Sequence, residues 1–389
     1  MLKGVWLMAY FDNAATTFPK PECVYNYMDQ YYRNNGGSYG RGENKFSLSA
    51  KGLIDQTRSS IQRILHCPAK QVVFQPSATL SLNVIIQGLL ASGLKNVYIS
   101  PFEHNAVTRV LHHFESEGKI KISTLTVTKN LEFDMQRNQF QFDDVKPDLV
   151  ILSHASNVIG LISPAEDIFA LAKKYNATTV LDMAQTAGLV DLDVGQDNID
   201  FAVFAGHKTL YGPTGLSGFV MKPECKIQPV LFGGTGFDSA NQDMPFSLPE
   251  RFEIGTMNAQ GAAGLYSAIQ WIENKGIQVL YEHEVSNRKK LLDLLSSYDF
   301  LTVVGDNKQT NYVGIVSCII DDISSDTAGQ LFSERQIAVR TGLHCAPLAH
   351  KFLGTFPAGT VRFSTSYFTS DEDFEVLRSA LDDIGDNLW

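Results

Sequence analysis

Cysteine is scarce in this 389-residue chain. Its five cysteines, Cys23, Cys67, Cys225, Cys318 and Cys345, are odd in number, widely spaced and without a CxxC pair. That pattern argues against a disulfide framework and a structural zinc site, and for a reducing, cytoplasmic compartment. Long apolar runs are missing too. Without a stretch of about 18 apolar residues there is no candidate membrane span. The leading run over 5–10 is too short for a secretory core and meets Asp12 almost at once, so it reads as a structured leading segment. Positive charge is not in excess, since 32 Lys and Arg stand against 42 Asp and Glu. A formal charge of −10 gives no electrostatic reason to expect nucleic acid or an anionic membrane as partner. Repeats, low-complexity tracts and blocks of like charge are also lacking.

What is present is an ordinary globular composition, 44% apolar and 19% charged, in a chain long enough for two domains. Between 71 and about 222, short β-rich runs alternate with amphipathic helices. Strands are predicted over 71–75, 96–100, 149–155, 178–183 and 201–205. Leu82, Ile85, Ile86, Leu89 and Leu90 recur at helical spacing, as do Ile168, Leu171, Ala172 and Tyr175. Such alternation predicts right-handed crossovers and a mainly parallel sheet, whose ligands lie beyond the carboxyl ends of the strands. A helix over 259–274 leads into the second half. There a strand over 312–320 and helices over 325–335 and 371–384 predict a smaller α+β domain. The fold class is therefore α/β, with a large domain over 15–258 and a small C-terminal domain over 259–389 on which the segment 1–14 packs.

The chemically notable residues follow candidate strands. Lys208 stands after an apolar strand in the glycine-rich stretch Gly206-His207-Lys208 to Tyr211-Gly212-Pro213-Thr214-Gly215. A plain surface lysine is one reading; the other is an amine sheltered by the sheet, able to lose its proton and condense with an aldehyde cofactor. Asp182 at the end of the preceding strand is a turn or cap residue if taken alone. With Lys208 at the next strand end, it becomes a partner for a protonated pyridine nitrogen. Ser77-Ala78-Thr79 lies between a strand and a strongly periodic helix, where free amides and the helix dipole attract a phosphate; an N-cap is compatible with the same residues. Cys345 follows Arg340-Thr341-Gly342-Leu343-His344. A thiol beside histidine and near arginine is a candidate thiolate nucleophile, whereas the other four cysteines read as small buried apolar residues. His344, Cys345 and His350 fit no common zinc spacing, so no metal is expected. Arg362, in the strand-like 360–363, can grip a carboxylate with two parallel hydrogen bonds, assisted by Arg340.

Taken together these elements resemble the cysteine desulfurase and selenocysteine lyase branch of the class V aminotransferase-like proteins. The resemblance runs from Asp12-Asn13-Ala14-Ala15-Thr16 to Arg362-Phe363-Ser364. It includes Glu103-His104-Asn105-Ala106, His154-Ala155-Ser156-Asn157, Asp182-Met183-Ala184-Gln185, Arg251-Phe252-Glu253 with Gly255-Thr256, and the segment ending at Cys345. It implies the pyridoxal-phosphate-dependent transferase fold of type I, pyridoxal 5′-phosphate as cofactor and Lys208 as its anchor. It further implies that His104 stacks on the ring and shuttles protons, and that Asn157 and Gln185 bind the phenolic oxygen and nearby groups. Thr79, the Ala78 amide and His207 hold the phosphate in this picture. Thr256 and Arg41 reach into a neighbouring subunit's site, so a homodimer is implied. Relatives commonly carry a serine near Ala205-Gly206 and a second hydroxyl residue at the position of Ala78; both are absent here, which predicts weaker cofactor binding.

The activity implied is removal of sulfur from L-cysteine, giving L-alanine and a persulfide on Cys345 for transfer to an acceptor. The short interval of seventeen residues from Cys345 to Arg362 resembles the group II desulfurases, which predicts slow turnover without a sulfur-accepting protein. Selenocysteine lyase, cysteine sulfinate lyase, transaminase and epimerase chemistry are alternatives on the same fold. A non-catalytic sulfur-transfer scaffold is the alternative from another class, disfavoured by the retention of Lys208, Asp182 and Cys345.

Overall fold

The computed structural model describes residues 8–39, 44–237, 240–307 and 311–388, so Arg41 lies outside the described residues. The first elements are β1 (Ala9–Tyr10), α1 (Glu22–Asn34) and α2 (Lys45–Ile64). Asn44 starts α2 by accepting the Phe46 and Ser47 amides, and the helix buries Leu53, Ile54 and Ile61 at helical spacing.

Alternating strands and helices then follow: β2 (Gln71–Gln75), α3 (Ala78–Leu90), β3 (Asn96–Ile99), α4 (Asn105–Ser116), β4 (Lys121–Thr124), α5 (Met135–Asp144), β5 (Leu149–Ser153), α6 (Ala165–Lys173), β6 (Thr178–Asp182), β7 (Phe201–Phe204) and β8 (Ser217–Met221). The strands form one seven-stranded sheet in the order β2-β8-β7-β6-β5-β3-β4. All neighbours are parallel except β8, which runs against both β2 and β7. The central strands β5, β6 and β7 are buried at every position except Thr178, because both faces are covered. Val150, Leu152, Leu181 and Phe204 point into one core, while Ile151, Val180, Phe201 and Val203 point into the other. The mainly parallel sheet expected from the alternation is present. The antiparallel β8 was not predicted, nor were α1 and α2.

The remaining elements are α7 (Ala259–Lys275), α8 (Ile277–Leu295), β9 (Leu301–Val304), β10 (Ile315–Ile320), α9 (Ser325–Glu334), β11 (Ile337–Ala338), β12 (Arg340–Gly342), α10 (Pro347–Leu353), β13 (Thr360–Ser364) and α11 (Asp371–Leu388). Four of them make an antiparallel sheet, β12-β13-β10-β9. Leu291 of α8, Phe332 of α9 and Leu377 and Leu381 of α11 share its core with Val316 and Phe363. The N-terminal segment lies here as well. β1 pairs with β11, and Asp12 bridges to Ser364.

One buried ion pair ties the sheet to the loop before α7. Both Arg58 terminal nitrogens donate to the Glu253 carboxylate at 2.7 and 2.5 Å, and Glu253 also accepts the Phe74 amide at 2.7 Å. The guanidinium stacks over Phe74, 4.8 Å from the ring centroid. Removing one partner strands the other charge. Arg58→Ala is therefore expected to cost about 3–5 kcal/mol, read as a lower denaturation midpoint at an unchanged slope.

Candidate active site

The sheet brings the chemistry to one edge. β6 ends in Asp182, β7 runs into the turn carrying His207 and Lys208, and β5 leads through Ser153 towards Asn157. The β3–α4 connection supplies His104, and the start of α3 supplies Ser77, Ala78 and Thr79. These residues and Gln185 line a cavity of about 100 Å³. Switch-point placement beyond strand carboxyl ends is what the topology dictates.

Lys208 lines the cavity, and its amine is pushed down to about 8. Burial is the main cause, opposed by the Asp182 carboxylate and assisted by the Arg362 and Arg340 guanidinium groups. The side chain keeps some exposed area, yet the shift follows from the protein packed round the amine. Its turn is held by the N-terminal segment: Thr17 Oγ1 donates to the Lys208 carbonyl at 2.9 Å, and Thr16 Oγ1 to the His207 carbonyl at 3.2 Å. Lys20 Nζ donates to the same His207 carbonyl at 2.6 Å. Asp182 is 7% exposed, and its Oδ1 accepts the Ala184 amide at 2.9 Å. Burial raises its pKa, and Lys208 pulls it back down.

His104 caps α4, with Nδ1 accepting the Ala106 amide at 3.0 Å. Burial first, then the charges of Lys208, Arg340 and Arg362, depress its pKa to about 4. The ring is neutral at pH 7, and the cap leaves Nε2 as the protonated nitrogen. At the opposite end α3 begins at Ala78, so its first amides have no partner within the helix. Ser77 caps it by accepting the Leu80 amide at 3.2 Å. His207 Nδ1 is buried without a partner.

Arg362 is 2% exposed. Its Nη1 donates to the Asn157 carbonyl and its Nη2 to Asp12 Oδ1, each at 2.9 Å, while Nε is buried without a partner. Asn157 Nδ2 donates to the His344 carbonyl at 2.7 Å, and its Oδ1 is likewise unpartnered. Gln185 Nε2 donates to the Ala14 carbonyl at 3.0 Å. Four sequence-predicted residues stand off this cavity's lining. Arg340 faces Arg362 across β12 and β13. Arg340 and Cys345 line a neighbouring groove together with Asn105, Arg109 and His112. Arg362 shapes the cavity wall through Asn157, and Thr256 is exposed away from it.

The turn carrying Cys345 is sharp. His344 and Cys345 both take left-handed backbone angles, with φ of 47° and 57°, which costs energy for residues with a Cβ. The Cys345 carbonyl accepts the Asn105 amide at 2.7 Å, and the thiol side chain is exposed. Two expectations need correction. His344 supplies no positive charge beside the thiol: it is buried, its Nε2 pairs with Thr360 Oγ1 at 2.8 Å, and its pKa falls to about 2. Arg362 is instead the cation within electrostatic reach of Cys345. Nor are the other cysteines uniformly buried. Cys67 and Cys318 are, with thiols pushed up to about 12, but Cys225 is half-buried and Cys23 is exposed.

A family model described as aminotransferase class-V matches residues 9–377. The chain belongs to the aminotransferase class-V family. Among its class-V relatives, a protein of Halalkalibacterium halodurans named "Probable cysteine desulfurase" is 29% identical over 383 residues, 96% of this chain and 92% of the relative. One of the same name from Staphylococcus epidermidis is 30% identical, covering 96% and 91%. The solved apo structure of a cysteine desulfurase from Thermococcus onnurineus NA1 superposes with a TM-score of 0.86 at 28% identity, covering 97% of this chain and 95% of that one. The α/β fold with its mostly parallel sheet is the fold of that class-V neighbour.

Several residues of this class-V site were not assigned from sequence. Ser153 lines the cavity. Glu103 is fully buried beneath it, accepting Ser100 Oγ at 2.6 Å and the Ser153 amide at 2.7 Å, and burial raises its pKa to about 7. A charged residue directly before His104, in a stretch with no other acid, was the available signal. Among the described residues no group of three His, Cys, Asp or Glu could hold a metal ion, and no helix is long and apolar enough to cross a membrane.

Proposed function

We propose that this class-V chain is a pyridoxal-5′-phosphate-dependent cysteine desulfurase, converting L-cysteine to L-alanine and leaving a persulfide on Cys345. One observation carries the reading: a lysine amine with a pKa near 8 faces a buried carboxylate across the ends of adjacent strands. The turn bearing an exposed thiol is bonded to the same cavity's Asn157. The names of the curated relatives and the solved structure support it.

The donor set fits the cofactor. Lys208 offers an amine for the aldehyde, and Asp182 a carboxylate for the ring nitrogen. His104 offers a neutral ring to stack, and the start of α3 with His207 Nδ1 a cradle for phosphate. Asn157 and Gln185 suit the phenolic oxygen. Bound there, the cofactor would supply an electron sink for the substrate's α-carbon. The chain's own groups do the rest. Arg362 grips the substrate carboxylate, with Arg340 adding positive charge. Lys208 Nζ takes the α-proton, for which a pKa near 8 suits neutral pH. Cys345 Sγ attacks the substrate sulfur, so that an S–S bond forms as the Cβ–S bond breaks. His104 Nε2 returns a proton to the product.

Other features support the surroundings assigned to this activity. Thr256 lies off its own cavity, and Tyr25, Tyr27, Tyr32 and Phe46 leave apolar surface on α1 and α2, which suits a homodimer completing each site. The groove beside the thiol gives a sulfur-accepting protein an approach to Cys345. Unpaired cysteines suit the cytoplasm. The two sheets suit a large domain over 15–258 and a small one over 259–389.

Separate incubations with cysteine, selenocysteine and cysteine sulfinate, with alanine measured, test the assignment. Alanine from L-cysteine with one persulfide per chain is expected, faster when a thiol or acceptor protein is added. Alanine from selenocysteine alone would move the assignment to a lyase. No alanine from any of the three refutes it.

A further inference from the structure

Asp12 meets Arg362 across the whole length of the chain, and the contact leaves the guanidinium incompletely used. Nη1 is taken by the Asn157 carbonyl and one Nη2 hydrogen by Asp12 Oδ1, both at 2.9 Å, while the buried Nε has no partner. A buried unmatched N–H is costly. With the second Nη2 hydrogen it offers the paired donors that a carboxylate fits. Asp12 itself is rigid. Its carbonyl accepts the Ala15 and Thr16 amides and the Tyr10 hydroxyl, and it bridges to Ser364 of β13. The Arg362 side chain is 3% exposed against 20% for Asp12, so the acid stands on the open side of the pair. Asp12 also raises the pKa of Lys208, which puts it within electrostatic reach of the amine on which the substrate is processed.

We infer that Asp12 is a positioning residue that orients the Arg362 guanidinium and limits how tightly it holds a substrate carboxylate, because the two anions share one cation. The inference rests on the proposed reading of Arg362 as the carboxylate anchor. Together with the Asn157 carbonyl, Asp12 holds a long side chain in one orientation before substrate arrives, which favours binding. Its charge, a few ångströms from the incoming carboxylate, opposes binding. Orientation and repulsion separate on substitution. Asparagine keeps an oxygen for Nη2 and removes the charge, whereas alanine removes both.

The test uses cofactor-loaded protein. Asp12→Asn is expected to lower KM for L-cysteine about tenfold with little change in kcat, and Asp12→Ala to raise it. A second readout needs no turnover. L-alanine carries the same carboxylate, and Asp12→Asn leaves Arg362 buried without a counter-charge. The variant should therefore melt at a lower temperature than the parent and gain more thermal stability from added L-alanine. If Asp12→Asn raises KM as alanine does, or leaves both KM and the L-alanine shift at parental values, the inference is overturned. Arg362→Gln separates this from the underlying reading. Unchanged KM and melting shift in Arg362→Gln would remove the anchor itself, while a large loss there with no gain in Asp12→Asn removes only the role of Asp12. Should the asparagine variant fail to fold, Asp12→Ser makes the same change of charge with a hydroxyl acceptor.

Discussion

Lys208→Ala, purified with excess pyridoxal phosphate, is expected to lack the visible absorbance of the parent protein and to release no measurable alanine from cysteine. The amine is the cavity group whose pKa is held near 8 and whose placement faces Asp182. Both suggested tasks, anchoring the aldehyde and moving the α-proton, reside on that nitrogen. Loss of a group serving two steps lowers turnover by a factor on the order of 10⁴ or more. The fold should survive. The backbone of residues 207 and 208 is held from Thr16, Thr17 and Lys20, so truncating the side chain leaves the turn anchored. An unaltered melting profile alongside lost colour separates a missing anchor from a collapsed site. Retained colour with full alanine release would refute the assignment of Lys208.

Cys345→Ala is expected to give the complementary phenotype. Colour should remain, and adding cysteine should still perturb the absorbance, because the anchor, the acid and the carboxylate grip lie elsewhere. Alanine release should fall by on the order of a hundredfold or more, since nothing else in reach can receive the sulfur. Cys67 and Cys318 are buried with thiols pushed up to about 12, and half-buried Cys225, pushed up to about 11, lines neither the cavity nor the groove beside it. Cys23 belongs to α1 and lies against Ser267 of α7, outside the cavity. The substitution should also relieve little backbone strain, because alanine meets the same penalty as cysteine at a φ of 57°. Cys345→Gly, which adopts that angle freely, distinguishes loss of the thiol from a change in the turn. Both variants should be equally inactive if sulfur is the point. Full-rate desulfuration by either would sink the nucleophile assignment.

How much of this was readable beforehand depends on the range of the interaction. Short β-rich runs marked β5, β6 and β7, and hence the edge where Asp182, Asn157 and Lys208 assemble. β8 escaped notice because its five residues, alternating no more clearly than its neighbours, follow directly on the lysine turn. Charge states were less legible. The neutrality of His344 follows from burial and from the nearby Arg362 guanidinium, neither of which local sequence reveals. The role inferred for Asp12 depends on a contact 350 positions away. Within a motif at the start of the chain, that residue looked like part of a family signature and nothing more.

The same separation bears on how the protein is made. When the aspartate leaves the ribosome, the arginine it will hold has not been synthesised, and neither has β11, the strand beside which β1 will lie. The large sheet can close long before translation ends, but the substrate's foothold cannot. A nascent chain halted after β8 should accordingly have the lysine and its facing acid in place, yet no means of seating an amino acid there.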